Sequence, residues 1–471
     1  MATSTKKGTI ITGEEVDFHD GKKIVLPRGM TYEKAFAVLQ RLKEESETLT
    51  EFNRVYLYRP DDGAHATFHC MKKRWGMILG KVTQSFFGTF PAEQKTIAIG
   101  YGQTMQVPWG RVEIPHLDGL EFYVLEDNHR DYGKVFRLYA RGPKKYKEEI
   151  EGLFDDVQEF LQANSIYRGK ALIGADDLEF LNLDVDMSTI VFSDKVYEEL
   201  GGMVWSSLRY ADRMRAEGLS LKRAVLLHGP YGTGKTSTGI LTAKEAVAAG
   251  WTFLSAKPGR DKVERVLQTA RLYQPAVVFV EDIDAQSNDG EADNVSRLLD
   301  AFDGITAKGG ELMIILTTNH LGRIHKGMLR PGRLDGIVEI AALDRNGVER
   351  LIKAVVPDGK LSPNVDYDAV YASMDGFLPA FVRETINRAI TFSVARLEGK
   401  GGYIIDTPDL IHAADSLQPQ LKALTEANEG EKRPTLDKAL MSAVEDSLGR
   451  AQTYDGHNDE WNTIQIAERS A

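Results

Sequence analysis

Eight residues constrain this chain more than any others: Gly229-Pro230-Tyr231-Gly232-Thr233-Gly234-Lys235-Thr236. They satisfy G-x-x-x-x-G-K-[ST] in full, between an apolar stretch, Ala224–His228, and a run of helical character. Glycines let such a loop curl until its N–H groups point inward at a phosphate, and the helix behind adds the positive end of its dipole. Lys235 would neutralise β- and γ-phosphate oxygens, and the Thr236 hydroxyl would ligate Mg2+. With Ser237 in the first helical turn, these residues form the expected binding set for ATP and Mg2+.

A loop of this kind needs a strand before it and a helix after it, which predicts an α/β core. From residue 186 onward apolar strands alternate with helical segments, at Ala224–His228, Thr252–Ala256, Ala276–Glu281, Leu312–Thr317 and Ile337–Ala341. Continuous apolar strands joined by helices imply a parallel sheet covered on both faces, here five-stranded. Beyond Asp344 the pattern turns helical to about Gln418, predicting a small helical domain over 345–418. An acidic, polar tail over 419–471 follows, with one amphipathic stretch, Thr435–Leu448, that reads as a docked helix or a partner-binding segment.

Residues 1–165 have another texture. Runs such as Arg54–Tyr58, Thr83–Phe87, Lys95–Ile99 and Leu120–Leu125 are aromatic and β-branched, punctuated by Gly, Pro and Asp. Helical spacing recurs over Thr31–Lys43 and Lys144–Gln162. A β-rich α+β domain for clients or partners is expected, joined by a linker over 166–185 to the ATPase large domain, 186–344. Phe86, Phe87, Trp109 and Tyr123 are expected in its core, with an exposed aromatic patch as the sharper alternative.

Three further elements suit phosphoryl chemistry. The strand Ala276–Val280 ends in Glu281-Asp282, followed by Ile283-Asp284. One acid would hold the magnesium hydration shell and the next would orient or deprotonate the attacking water. The strand Leu312–Thr317 leads to Asn319, whose amide supplies both donor and acceptor for the γ-phosphate and the lytic water. Arg330 and Arg333 flank a Pro-Gly turn, and guanidinium groups match charge spread over equatorial phosphate oxygens. Taken singly, the last two segments are more readily a strand-end turn and a charged surface turn.

In this order, over residues 186 to 415, the four elements resemble the AAA family of ATPases. The stretch Thr317–Asp335 is similar to the one that separates that family from other P-loop ATPases. Within it the chain most resembles the branch containing the mitochondrial chaperone that translocates the Rieske iron–sulfur protein. Glu281-Asp282-Ile283-Asp284, Thr317-Thr318-Asn319-His320 and Leu378-Pro379-Ala380 carry that likeness. The resemblance implies a homo-oligomeric ring of six or seven subunits, with Arg330 and Arg333 reaching the nucleotide of a neighbour. It also places Ala380 near the bound nucleotide and implies remodelling of protein clients.

Two departures from the family pattern stand out. The acid order puts Glu281 at the magnesium position and the shorter Asp282 at the catalytic one. The segment Ser255–Lys262, where unfoldases of this family carry an aromatic, has none. The Rieske-translocase branch shares that lack, which suits a folded or loosely held client; unlike that chaperone, no membrane anchor is evident.

A net charge of −11 does not advertise nucleic-acid binding. A nucleic-acid motor or loader therefore ranks behind a protein remodeller, as does a nucleotide-gated scaffold with slow hydrolysis. No apolar run approaches the roughly 18 residues of a membrane span, and Met1–Gly8 does not read as a secretory signal. With one cysteine, Cys70, no intrachain disulfide can form, and a reducing cytoplasm is expected. His65 and His69 precede Cys70 at a suggestive spacing. On a strand, as their neighbours suggest, they would lie about 13 Å apart, too far to share an ion. Lys72-Lys73-Arg74-Trp75 reads as a solvated strand end.

Overall fold

A computed structural model of the chain describes residues 18–19, 23–24, 29–76, 82–85, 88–91, 93–114, 116–283, 310–324, 334–397 and 401–432. The chain divides into two compact units, Met1–Gly347 and Val348–Ala471.

The first unit opens with helix α1 (Tyr32–Glu47), strand β1 (Leu49–Tyr56) and helix α2 (Pro60–Trp75). After two hairpin-forming segments come β2 (Gly110–Glu113), β3 (Glu121–His129), β4 (Gly133–Pro143) and helix α3 (Lys147–Asn164). The four strands form an antiparallel sheet in the order β1-β4-β3-β2. One face alternates into the core through Tyr56, Phe136, Leu138, Phe122 and Val124, against α2 and α3.

Helix α2 corrects the reading of residues 65–75 as strand. Ten of its sixteen residues are buried, on nearly every side, so no amphipathic stripe marks it in the sequence. Its ends do carry signals: Pro60 at the first turn with Asp61 and Asp62, then Lys72, Lys73 and Arg74 in the last turn before Gly76 at φ 64°. The basic run is therefore a helix C-terminus complementing its dipole, with Arg74 paired to Asp156 at 2.6 Å.

The second sheet has seven strands, not five. Its members are β5 (Ala171–Ile173), β6 (Glu179–Phe180), β7 (Arg223–His228), β8 (Thr252–Ser255), β9 (Ala276–Val280), β10 (Leu312–Thr318) and β11 (Gly336–Glu339). The order is β6-β5-β8-β9-β10-β7-β11, with β6 antiparallel to β5 and every other pair parallel. All five expected strands are present. The two extra ones come from residues 166–185, read from the sequence as a linker, because strands of three and two residues leave no periodic trace.

Helix α4 (Asp194–Leu200) precedes β7, α5 (Lys235–Ala248) follows it, and α6 (Val263–Leu272) joins β8 to β9. Both faces of the sheet are buried, as its unbroken apolar strands require. Val225, Leu227, Phe253, Phe279 and Ile315 pack with Phe192, Trp205 and α5. Ala224, Leu226, Leu254, Val278 and Ile314 belong instead to one hydrophobic cluster that continues through α6 into the core of the front domain.

A polar joint lies within that continuous core. The Arg59 side chain is 1% exposed. It donates to the carbonyls of Lys134 (2.6 Å) and Ala175 (2.8 Å) and to the Thr269 hydroxyl. Its backbone N–H donates to the Tyr273 hydroxyl at 2.8 Å. Next to it Asp62, fully buried, accepts from the Ser165 hydroxyl at 2.5 Å and the Ile166 N–H at 3.1 Å.

The second unit is helical. Helix α7 (Arg345–Val355) runs across the boundary between the units, followed by α8 (Pro379–Arg396) and α9 (Thr407–Lys432). Val382, Ile386 and Ala389 of α8 and Leu410, Ala413 and Leu417 of α9 are buried. Arg396 pairs with Asp409 at 2.8 Å. Helix α9 continues past residue 419, expected to begin the tail, with Pro419 inside it. The stretch Thr435–Leu448 lies outside the described residues.

Candidate functional site

In the sheet order, β10 lies between β7 and β9. Their carboxyl ends therefore meet at one edge, where ligands bind in open α/β sheets. β7 leads into the phosphate loop, β9 is followed directly by Glu281-Asp282 and β10 by Asn319. Three segments roughly 40 residues apart in sequence are thereby made neighbours.

The loop has the backbone its glycines permit. Gly232 and Gly234 lie at φ 84° and 100°, in the left-handed region where a side chain is strained. A Cβ on Gly229 would stand 2.2 Å from the carbonyl oxygen of Ile340, so the loop runs hard against the strand end. Helix α5 starts at Lys235, directing its unpaired N–H groups toward the loop. The Lys235 ammonium donates to the carbonyls of Gly229 (2.8 Å) and Pro230 (2.9 Å), and the Thr233 hydroxyl closes on Pro230 O at 2.9 Å. Tyr231 is exposed, its ring 6.3 Å from that of His320.

The acids stand opposite. Burial raises the Glu281 pKa above the ordinary carboxylate value, and the neighbouring Asp282 charge adds to this. A hydrogen bond from the Thr236 hydroxyl and the Lys235 charge oppose it. Thr236, Lys235 and Glu281 are thus in mutual reach, as a magnesium–phosphate site requires. Asp282 Oδ1 accepts from Asn319 Nδ2 at 2.8 Å. Left-handed glycines, a helix N-terminus, one ammonium, one hydroxyl and two carboxylates together fit a nucleoside triphosphate with Mg2+.

Residues 225–342 match the family described as ATPase family associated with various cellular activities (AAA). The chain carries an AAA-family ATPase domain. It is an ATP-hydrolysing P-loop fold that uses ATP and Mg2+. Among relatives, the ATP-dependent zinc metalloprotease FtsH 3 of Sphaerobacter thermophilus is 31% identical over 251 residues, 49% of this chain and 50% of the relative. FtsH 2 of Symbiobacterium thermophilum is 30% identical over 230 residues, 45% of this chain and 39% of the relative. The same organism's FtsH 3 is 28% identical over 288 residues, 57% of this chain and 44% of the relative. This chain spans half or less of the length of these relatives.

Arg330, Arg333 and Asp284 lie outside the described residues. Ala380 is exposed in the first turn of α8, in the other unit. In the segment after β8, Pro258, Gly259 and Arg260 are exposed, while Lys257 pairs with Glu179 at 2.6 Å.

Thr317 was missed. Its hydroxyl accepts the Asp282 N–H at 3.0 Å. The available signal was a pair of hydroxyl residues, Thr317-Thr318, closing an otherwise aliphatic strand.

The histidine pair is corrected too. On α2, His65 and His69 share a face, with rings 4.6 Å apart and both against Phe160. That removes the distance objection, but among the described residues no group of three or more His, Cys, Asp or Glu could hold a metal. Phe86 and Phe87 are outside the described residues. Tyr123 is only half-buried and donates its hydroxyl to Glu121 at 2.8 Å, because Phe122 takes the inward position in the alternation. No helix among the described residues is long and apolar enough to cross a membrane.

Proposed function

We propose that this protein is a ring-forming ATPase that remodels, translocates or disassembles protein clients. The observation that carries this is the meeting of Lys235, Thr236, Glu281, Asp282 and Asn319 at one sheet edge of an AAA domain. Gly229 to Thr236 and Ser237 hold the phosphates. Thr236 and Glu281 would hold Mg2+, whose positive charge would offset that of the phosphates. Asp282 takes a proton from the lytic water, whose oxygen bonds to the γ-phosphorus as the bond to the bridging oxygen breaks, leaving ADP and phosphate. Asn319 orients that water. Arg330 and Arg333 of one subunit complete the site of the next, and Ala380 borders the nucleotide. The front domain selects the client.

The acid order, the Thr317–His320 motif and the missing aromatic after β8 favour a relative of the Rieske-protein translocase, handling a folded or loosely held client in the cytoplasm. The activity named for the FtsH relatives belongs to those proteins.

The test is ATPase rate against protein concentration. Turnover per subunit should rise steeply as rings assemble, and Arg333→Ala should lose it at saturating ATP. Mixing Arg333→Ala with Lys235→Ala should restore part of the activity. Full activity of a proven monomer, with no recovery on mixing, would sink the ring. Stimulation by DNA or RNA with steep salt dependence would mean a nucleic-acid motor instead, and tight ATP binding without turnover a scaffold. Proteins retained by Asp282→Asn in ATP would identify the client.

A further inference from the structure

Among the described residues Asp282 is the one non-glycine residue with positive φ, at 45°. That conformation is uncommon for a residue with a Cβ, although Asp tolerates it better than most. Backbone held this way persists only where its surroundings enforce it, and such residues cluster at functional sites. Two of the bonds that hold this turn come from one residue. Thr317 Oγ1 accepts the N–H of Asp282 at 3.0 Å, and Thr317 O accepts the N–H of Ile283 at 3.0 Å. Both oxygens of one side chain and main chain thus clamp two consecutive amides. Thr317 itself is rigid: it is 1% exposed and sits opposite Leu227 in the parallel ladder between β10 and β7.

We propose that Thr317 is a positioning residue for ATP hydrolysis: its hydroxyl holds the Asp282 turn so that the carboxylate faces the water site beside Asn319. The inference rests on the reading of Asp282 as the catalytic acid. It explains how an aspartate serves where a longer side chain would reach further. Asp is shorter than Glu by one carbon–carbon bond, roughly 1.5 Å. A misplacement of about 1 Å can cost on the order of 100-fold in rate. The left-handed turn sets where the backbone delivers the carboxylate. The Asn319 amide, donating to Asp282 Oδ1 at 2.8 Å, then sets the carboxylate's rotation. Losing the hydroxyl would leave the Asp282 N–H without its acceptor and let the turn relax, while the phosphate loop, on another strand, stays as it is.

The experiment compares Thr317→Val, Thr317→Ser and Thr317→Cys in the full chain with Mg2+ and ATP. Thr317→Val should lower kcat by about 10- to 100-fold, with KM and the Kd for a non-hydrolysable ATP analogue within about twofold. Thr317→Ser, which keeps the acceptor, should recover kcat to within about threefold. Should Thr317→Val fail to fold, Thr317→Cys is compared with Thr317→Ser, since the two have nearly the same shape and the thiol is the weaker acceptor; kcat should then be lower in Thr317→Cys. A kcat unchanged in Thr317→Val, or lost equally in Thr317→Ser, overturns the proposal. Asp282→Asn is run alongside. If it retains hydrolysis, the assignment of the acid has failed; if it abolishes hydrolysis while Thr317→Val does not, only the positioning role has failed.

Discussion

The nucleotide edge and the Arg59 joint are both polar sites of the first unit, yet they are built in opposite ways. At the edge, Lys235 rests on two carbonyls of its own loop and Asp282 on the Asn319 amide, so each bond can be exchanged for a ligand. In the joint, Arg59, itself buried, is spread over carbonyls from β4 and from the β5–β6 connection and over a hydroxyl of α6. A site meant to react keeps its donors on replaceable partners; a site meant to hold spreads them over fixed ones. Different substitutions should therefore separate activity from stability.

The largest effect is expected from Arg59→Met. It leaves buried carbonyls without a donor, and breaking a buried charged network of this kind costs about 3–5 kcal/mol. Denaturant unfolding should show that loss. A change below about 1 kcal/mol would mean that the joint holds little, and the contrast with the edge would fail.

Lys235→Ala should do the reverse. Its Tm should stay within a few degrees of the parent while kcat falls by about 100- to 1,000-fold, the usual cost of one transition-state donor. A large drop in Tm would show that the loop lysine is structural.

Tyr273→Phe sharpens the comparison from the joint side. The hydroxyl accepts the Arg59 N–H, and its removal leaves that buried donor unmade, at a cost of about 1–3 kcal/mol. ATP turnover per folded subunit should be unchanged.

The smallest effect is a pH dependence. Burial pushes the Asp62 pKa up to about 7 despite hydrogen bonds from Ser165, Ile166 and Tyr273 and the Arg168 charge. Because the folded value exceeds the unfolded one, the folded state binds the extra proton, and stability falls as pH rises from about 4 to about 7. His65, pushed down to about 4 by burial and by His69, contributes the opposite slope between about 4 and its ordinary 6.5. The two largely offset each other there, leaving the Asp62 decline uncovered near neutrality. Asp62→Asn should flatten the Tm profile between pH 6 and 8, and an unaltered profile would place the titration elsewhere.

The edge was legible in the sequence and the joint was not, for physical reasons. Strands β7 to β11 announce themselves as apolar runs, and the loop needs its glycines and lysine side by side, so the signal is local. Arg59 meets partners 75 to 214 residues away, and nothing in Tyr58-Arg59-Pro60 hints at them. Helix α2 hid because it is buried all round, and β5 and β6 because they are too short to show a period. Thr317 falls between these cases: its hydroxyl was visible, but its purpose depends on a turn in another strand.

The hydrophobic cluster that runs from the front domain through α6 into the ATPase sheet bears on how this protein can be cut and recombined. An ATPase fragment starting near residue 186 would lack β5 and β6 and expose the flank of α6 to water, inviting aggregation. A front-domain fragment ending at 165 would leave Arg59 facing solvent in place of Thr269 and Tyr273. Grafting this front domain onto another motor would mean transplanting the receiving surface of that motor as well.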